Sequence, residues 1–129
     1  MRVLLDTHTF LWAMHSPKKL RASARRIIES EADAVFVSAV SAAEIAIKQS
    51  LGKLELPEPA EDWVQAACQR AGFQELPLSM KAALSMRSLP WIHKDPFDRL
   101  LIGQAVSEKL TVVTQDRVFS SYGIDVVEV

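Results

Sequence analysis

Short apolar runs closing on an acid or a hydroxyl residue alternate with helical stretches along the chain. This alternation limits the fold more than any other feature of the sequence. Arg2-Val-Leu-Leu5 runs into Asp6, Ala34-Val-Phe-Val37 into Ser38, and Leu110-Thr-Val-Val-Thr114 is β-branched almost throughout. Such runs read as buried strands. Between them, Pro17 to Glu31 carries Leu20, Ala24, Ile27 and Ile28 on one helical face, with Lys18, Arg21, Arg25 and Arg26 around it. Ser38 to Leu51 reads as a helix with Gly52 in the C′ position, and Glu61 to Ala71 as one closed by Gly72. Ser79 to Arg87 is a short helix, and Asp95-Pro96 opens another that runs to about Lys109, with Asp as N-cap and Pro at N1. Phe73 to Leu76 and Asp125 to Val129 complete the strands. The prediction is an α/β fold, with a central mostly parallel sheet of about four to five strands flanked by helices.

Size and composition narrow the class. A chain of 129 residues and 14.4 kDa buries roughly two-thirds of its unfolded surface, enough for one core, so residues 1–129 are expected to form a single domain. Hydrophobic residues at 49% and charged residues at 24% exclude a disordered chain. The longest stretch without Lys, Arg, Asp or Glu, Thr7 to Pro17, is too short to span a bilayer, and the apolar run of MRVLLD is too short for a secretory signal. With one cysteine, Cys68, no disulfide staples the fold, and a reduced cytoplasmic setting is expected. Net charge of −1 gives no electrostatic argument for non-specific binding to nucleic acid.

Four acids fall at equivalent places on this scaffold. Asp6 and Asp116 follow strands, whereas Glu44 and Asp98 lie in the first turns of helices. In a parallel α/β fold these positions share the carboxyl edge of the sheet, where ligands bind. Val40, Glu44, Ile47 and Leu51 follow one helical face, and Asp98 shares a face with Leu101, Ile102 and Ala105. A carboxylate in an apolar stripe is costly unless paired or bound to a metal. Structural roles are open to each: Ser41-Ala-Ala-Glu44 fits a capping box, Glu44 can pair with Lys48, and Asp98 suits the N3 position behind Asp95. Asp6 and Asp116 can equally be turn residues at strand ends.

Gathered carboxylates repel unless a cation neutralises them, and oxygen donors select Mg²⁺ or Mn²⁺. His8, His15 and His93 form no ligand-spaced set and are read as surface or loop residues, so zinc is not expected. A hard ion on carboxylates orients phosphate and activates water, so phosphodiester hydrolysis is the natural chemistry. Thr7 and Thr114, beside the strand-end acids, can hold a ligand carboxylate or a metal-bound water. The basic cluster from Lys18 to Arg26 reads as a solvated helix face, and Phe10-Leu-Trp12 as core or an oligomer contact.

The chain resembles a known family in four blocks occurring in order. They are Asp6-Thr7-His8 with Phe10-Leu-Trp12; Ser38 to Ile47 with Lys48 and Gly52-Lys-Leu54; His93-Lys-Asp95-Pro-Phe-Asp-Arg99-Leu-Leu-Ile102; and Thr114-Gln-Asp116 with Phe119. Together, and over essentially the whole chain, they resemble the PIN domain, in particular the VapC-type toxins of toxin–antitoxin pairs. The resemblance implies a three-layer sandwich and an Mg²⁺-dependent endoribonuclease, with Mn²⁺ able to substitute. It also implies an acidic pocket of Asp6, Glu44, Asp98 and Asp116, with a metal-activated water as nucleophile. Asp95 matches an extra acid of the DPFDR form of the motif, and N-capping also accounts for it. The implied partners are RNA, a small antitoxin protein whose peptide fills a groove near the pocket, and a second copy of the chain in a homodimer. Two positions depart from the family's habit: Ala43, where many relatives carry Trp, and Gly103, where Ala is usual. A catalytically silent PIN-like binding module is the alternative, and the complete acid set argues against it. A receiver-like phosphotransfer domain would need an acid after the third strand, where Pro77-Leu-Ser79 stands instead.

Overall fold

The computed structural model describes residues 1–129 as five parallel strands with helices on both faces. In chain order the elements begin with β1 (Arg2–Leu5), α1 (Thr7–His15), a 3₁₀ turn (Pro17–Lys19) and α2 (Ala22–Arg26), which ends in a π turn (Ile27–Glu31). Then come β2 (Ala34–Ser38), α3 (Ala39–Ser50), α4 (Ala60–Ala71), β3 (Gln74–Leu76) and α5 (Met80–Leu84), with a 3₁₀ turn at Ser85–Arg87. The chain closes with α6 (Pro96–Glu108), β4 (Thr111–Thr114), a 3₁₀ segment (Arg117–Tyr122) and β5 (Val126–Glu128). The strand order is β3-β2-β1-β4-β5, so the chain reverses its winding direction between β1 and β4. The three-layer α/β sandwich is as expected.

Side-chain alternation along each strand builds two cores. Val3, Leu5, Val35, Val37 and Val113 point to one face, against Phe10, Ala24, Ile45, Trp63 and Ala67. Leu4, Phe36 and Val112 point to the other, against Val40, Leu101, Ile102, Ala105 and Phe119. A strand apolar on both sides has water on neither, which explains the continuous apolar runs. Each fully buried Leu, Ile or Phe contributes about 1.5–3 kcal/mol relative to exposure.

The helix ends follow their capping chemistry. Asp95 Oδ1 accepts from the Asp98 N–H at 2.9 Å, and α4 ends on Gly72 at φ 75°, the left-handed conformation that glycine adopts without a Cβ penalty. The structure adds one helix that the sequence reading left unassigned and corrects the readings of Pro17 to Glu31 and of α3. Thr7–His15 is a helix, although no amphipathic stripe marks it, because Asp6 caps it through the Thr9 N–H at 2.9 Å. The stretch Pro17 to Glu31 is not one helix: Leu20 and Arg21 are extended and separate a 3₁₀ turn from α2. In α3 the cap is Ser38, whose Oγ accepts from the Val40 N–H at 2.9 Å, so Ser41-Ala-Ala-Glu44 is no capping box. Ile47 and Leu51 are exposed, so the buried face of α3 is Val40, Ser41, Glu44 and Ile45.

Gly103 in α6 has a packing reason. A Cβ there would meet Met86 Cε at 2.5 Å and Ser85 Oγ at 3.1 Å, so the missing side chain lets the α5 segment lie close. Lys18, Lys19, Arg21 and Arg26 are exposed, as expected of a solvated face, and Phe10 is core. No helix is long and apolar enough to cross a membrane.

Candidate metal centre

The carboxyl edge of the sheet gathers the loop after β1, the start of α3, the start of α6 and the loop after β4. Asp6 is only 6% exposed and held from three sides. Its backbone N–H donates to Val113 O, its Oδ1 accepts from the Thr9 N–H, and its Oδ2 accepts from Thr114 Oγ1 at 2.5 Å. Thr114 Oγ1 in turn accepts from the Asp116 N–H at 3.0 Å, tying the two strand-end acids through one hydroxyl. Thr114 thus orients the Asp6 carboxylate. Thr7 does not touch Asp6's carboxylate; its Oγ1 donates to Ser41 Oγ at 2.9 Å inside the α1–α3 contact.

Glu44 is buried, with Lys48 Nζ at 2.6 Å from its Oε2, one turn along α3. Asp116 Oδ1 accepts from the Val118 N–H at 2.9 Å and so caps the following 3₁₀ segment. Asp98 sits in the first turn of α6, half-buried. Its carboxyl is pushed up from 3.8 to about 7, first by burial and then by Asp95, with further push from Asp6 and Glu44 and an opposing pull from His93. Asp95 is exposed and spends Oδ1 on the Asp98 N–H, so its first role is the cap.

His93 is the residue that sequence reasoning passed over. Its Nε2 lies 3.0 Å from Asp98 Oδ2 and 2.9 Å from Asp116 Oδ2. The ligand-capable atoms of His93, Asp98 and Asp116 all fall within 4.8 Å of one another, a cluster able to hold a metal ion. Asp6 and Glu44 stand outside that tight trio, although both act on the Asp98 charge. His8 and His15 are surface residues, as expected, but His93 is part of the site. The available signal was its place two residues before the Asp95 cap, which aims the loop back over α6.

That loop is clamped from below. Arg99, 3% exposed, donates to the carbonyls of Leu89, Pro90 and His93 at 2.7–3.2 Å and stacks on Trp91 at 3.7 Å. Tyr122 Oη accepts from the His93 N–H at 2.7 Å and donates to Pro90 O. A recess of about 540 Å³ lies elsewhere: it is an apolar groove between α3, α4 and β3 containing none of the clustered acids. A second recess, about 360 Å³, adjoins the acids through Thr7 and Lys48 and carries Lys53, His8 and Trp12.

The donor set is carboxylate oxygen with one imidazole beside it, and a carboxyl pushed up to about 7, first by burial and then by neighbouring acids, marks a pocket short of positive charge. A hard divalent cation fits such a set.

Set against known proteins, residues 3–125 match the PIN domain family, and the chain belongs to that family. No curated protein sequence matches it. Among solved structures, a chain of VapBC2 from Rickettsia felis, bound to a DNA fragment from the promoter, superposes with a TM-score of 0.73 at 16% identity, covering 99% of this chain and 98% of that one. A chain of DNA-bound VapBC from Salmonella typhimurium gives 0.73 at 21% identity over 99% and 98%. A chain of FitAcB from Neisseria gonorrhoeae gives 0.63 at 19% identity over 98% and 96%. Identities this low speak for the fold.

Proposed function

We propose that the protein is a metal-dependent endoribonuclease, the toxin half of a VapBC-type toxin–antitoxin pair, working in the cytoplasm as a single PIN domain. Asp6, Glu44, Asp98 and Asp116 hold Mg²⁺, with Mn²⁺ as substitute. The observation that carries this reading is the gathering of donor atoms at one edge of the sheet, where those of His93, Asp98 and Asp116 fall within 4.8 Å of one another and Asp95, Asp6 and Glu44 act on the Asp98 charge. A cation held among these carboxylates would relieve their mutual repulsion. Membership of the PIN family and fold similarity to chains of VapBC and FitAcB complexes support the assignment to a toxin with a small antitoxin partner; a homodimer is part of the proposal on the family resemblance alone.

A divalent ion bound there supplies the charge that orients a scissile phosphate and makes water a nucleophile near neutral pH. The chain's own part is positioning. Thr9 N–H and Thr114 Oγ1 fix both oxygens of Asp6, and Val118 N–H fixes one oxygen of Asp116. These bonds remove carboxylate rotation before substrate arrives. Lys48 Nζ, 2.6 Å from Glu44 Oε2, sets a positive charge beside that acid.

The test is incubation of a mixed cellular RNA pool with purified protein in Mg²⁺, Mn²⁺ or EDTA, beside Asp6→Asn and Asp98→Asn. Discrete fragments that need metal and vanish in both variants are expected. Intact RNA, or cleavage persisting in EDTA or in Asp6→Asn, refutes the mechanism. RNA binding without turnover would identify a silent binding module.

A further inference from the structure

Resting on the reading of the acids as an ion site, we infer that His93 is a positioning residue whose Nε2–H bridges Asp98 and Asp116 and holds their carboxylates in register for the ion, without itself being a ligand. The hydrogen bonds carry the argument. The Asp95 backbone N–H points at His93 Nδ1 at 3.1 Å. A backbone N–H can only donate, so Nδ1 accepts and the ring proton sits on Nε2. Nε2 then donates to Asp116 Oδ2 at 2.9 Å, and Asp98 Oδ2 lies 3.0 Å from the same nitrogen. Coordination through Nε2 would need that nitrogen bare and the proton on Nδ1, against the Asp95 N–H.

The ring is prevented from leaving this pose. Phe119 packs edge-on at 6.0 Å and 86°, and the backbone on either side is held by Tyr122 Oη and the Arg99 guanidinium. Asp116 is thereby gripped at both oxygens, by the Val118 N–H and by His93. Each bridged oxygen keeps a second lone pair for a cation. Groups that hydrogen-bond to ligating carboxylates from behind commonly govern metal affinity by 10–100-fold.

Calorimetric titration of the metal-free protein with MnCl₂ and MgCl₂ tests this, using wild type, His93→Ala and His93→Gln, with circular dichroism to confirm folding. The expected result is roughly a 10–100-fold loss of affinity for both ions in His93→Ala. His93→Gln, whose amide N–H reaches the same place, should restore affinity to within a few fold. Unchanged affinity in His93→Ala, or tighter binding there, overturns the inference. So does a loss confined to Mn²⁺ that Gln does not repair, since that would make the ring a ligand. Long-range ¹H–¹⁵N spectra of the metal-free wild type read the tautomer directly: a proton on Nε2 supports the bridge, and one on Nδ1 defeats it. Absence of ion binding in wild type would defeat the metal reading itself, and the spectra would still judge the bridge.

Discussion

Replacing Asp98 by Asn should stabilise the metal-free protein, and the gain should grow with pH. In the folded chain the Asp98 carboxyl is pushed up from 3.8 to about 7, first by burial and then by Asp95. Above pH 7 it must ionise in the pocket against that resistance, whereas the unfolded chain ionises it freely. At about 1.36 kcal/mol for each tenfold in proton affinity, the folded state gives up about 4 kcal/mol by pH 8. Below the unfolded value both states are protonated and nothing is lost, so the penalty accumulates between about pH 4 and pH 7. Asn keeps an oxygen for His93 and carries no charge, but it loses the attraction of an acid to the α6 N-terminus, about 0.3–1 kcal/mol. Relaxation of a side chain still 26% exposed trims the gain further, so about 2–3 kcal/mol is expected at pH 8. Urea unfolding in EDTA at pH 4.5, 6 and 8 measures it. A ΔΔG that is flat across these pH values, or an Asn variant less stable at pH 8, would refute the reasoning.

Saturating Mg²⁺ should raise the wild-type melting temperature and leave Asp98→Asn almost unmoved, because only the wild type retains the full carboxylate set for the ion; differential scanning calorimetry reads the contrast. Arg99→Lys should cost about 2–4 kcal/mol, since one ammonium cannot replace donation to three carbonyls and the stacking on Trp91; limited proteolysis should then cut between residues 88 and 95 first. Cys68 is 2% exposed and its thiol is pushed up to about 11, mainly by burial and also by Glu75, so an aromatic disulfide reagent at pH 8 should label it only as the protein unfolds. Gly103→Ala should change stability by less than about 1 kcal/mol, as helix propensity gains what the shift of Met86 loses. Gly103→Val should cost about 1–3 kcal/mol, because its branches also meet Ser85; thermal melts of both variants check the pair.

The strands were legible because a strand buried on both faces has no reason to carry polar residues, and Val3-Leu-Leu5 and Val112-Val113 carry none. The rim acids were legible for a related reason: a strand end and a helix start are fixed by local chemistry, and the parallel topology brings those ends together. Helix α1 was hidden because Thr7, Thr9, Phe10, Leu11 and Trp12 show no polar side, and its cap, Asp6, already had a reading as an acid. The capping box at Ser41 misled because Ser38, three residues earlier, competes for the same duty and wins through Val40. His93 escaped because metal-site reasoning looked for histidines spaced to share an ion. Its partners are acids on α6 and beyond β4, joined only by the path of the loop. Arg99 was read as part of a motif, and only the packed structure reveals that it clamps the His93 loop.

The position of β1 at the centre of the sheet has a consequence for biosynthesis. Asp6 is among the first residues made, but the hydroxyl that fixes it belongs to Thr114, 108 positions later, on the strand that must slot in beside β1. Contacts of such long range close late, and a fully parallel sheet offers no hairpin to hasten them. A nascent chain can therefore complete α1, β2 and α3 and still lack the rim on which the acids meet. Any activity of the pocket therefore waits until β4 has left the ribosome and seated beside β1.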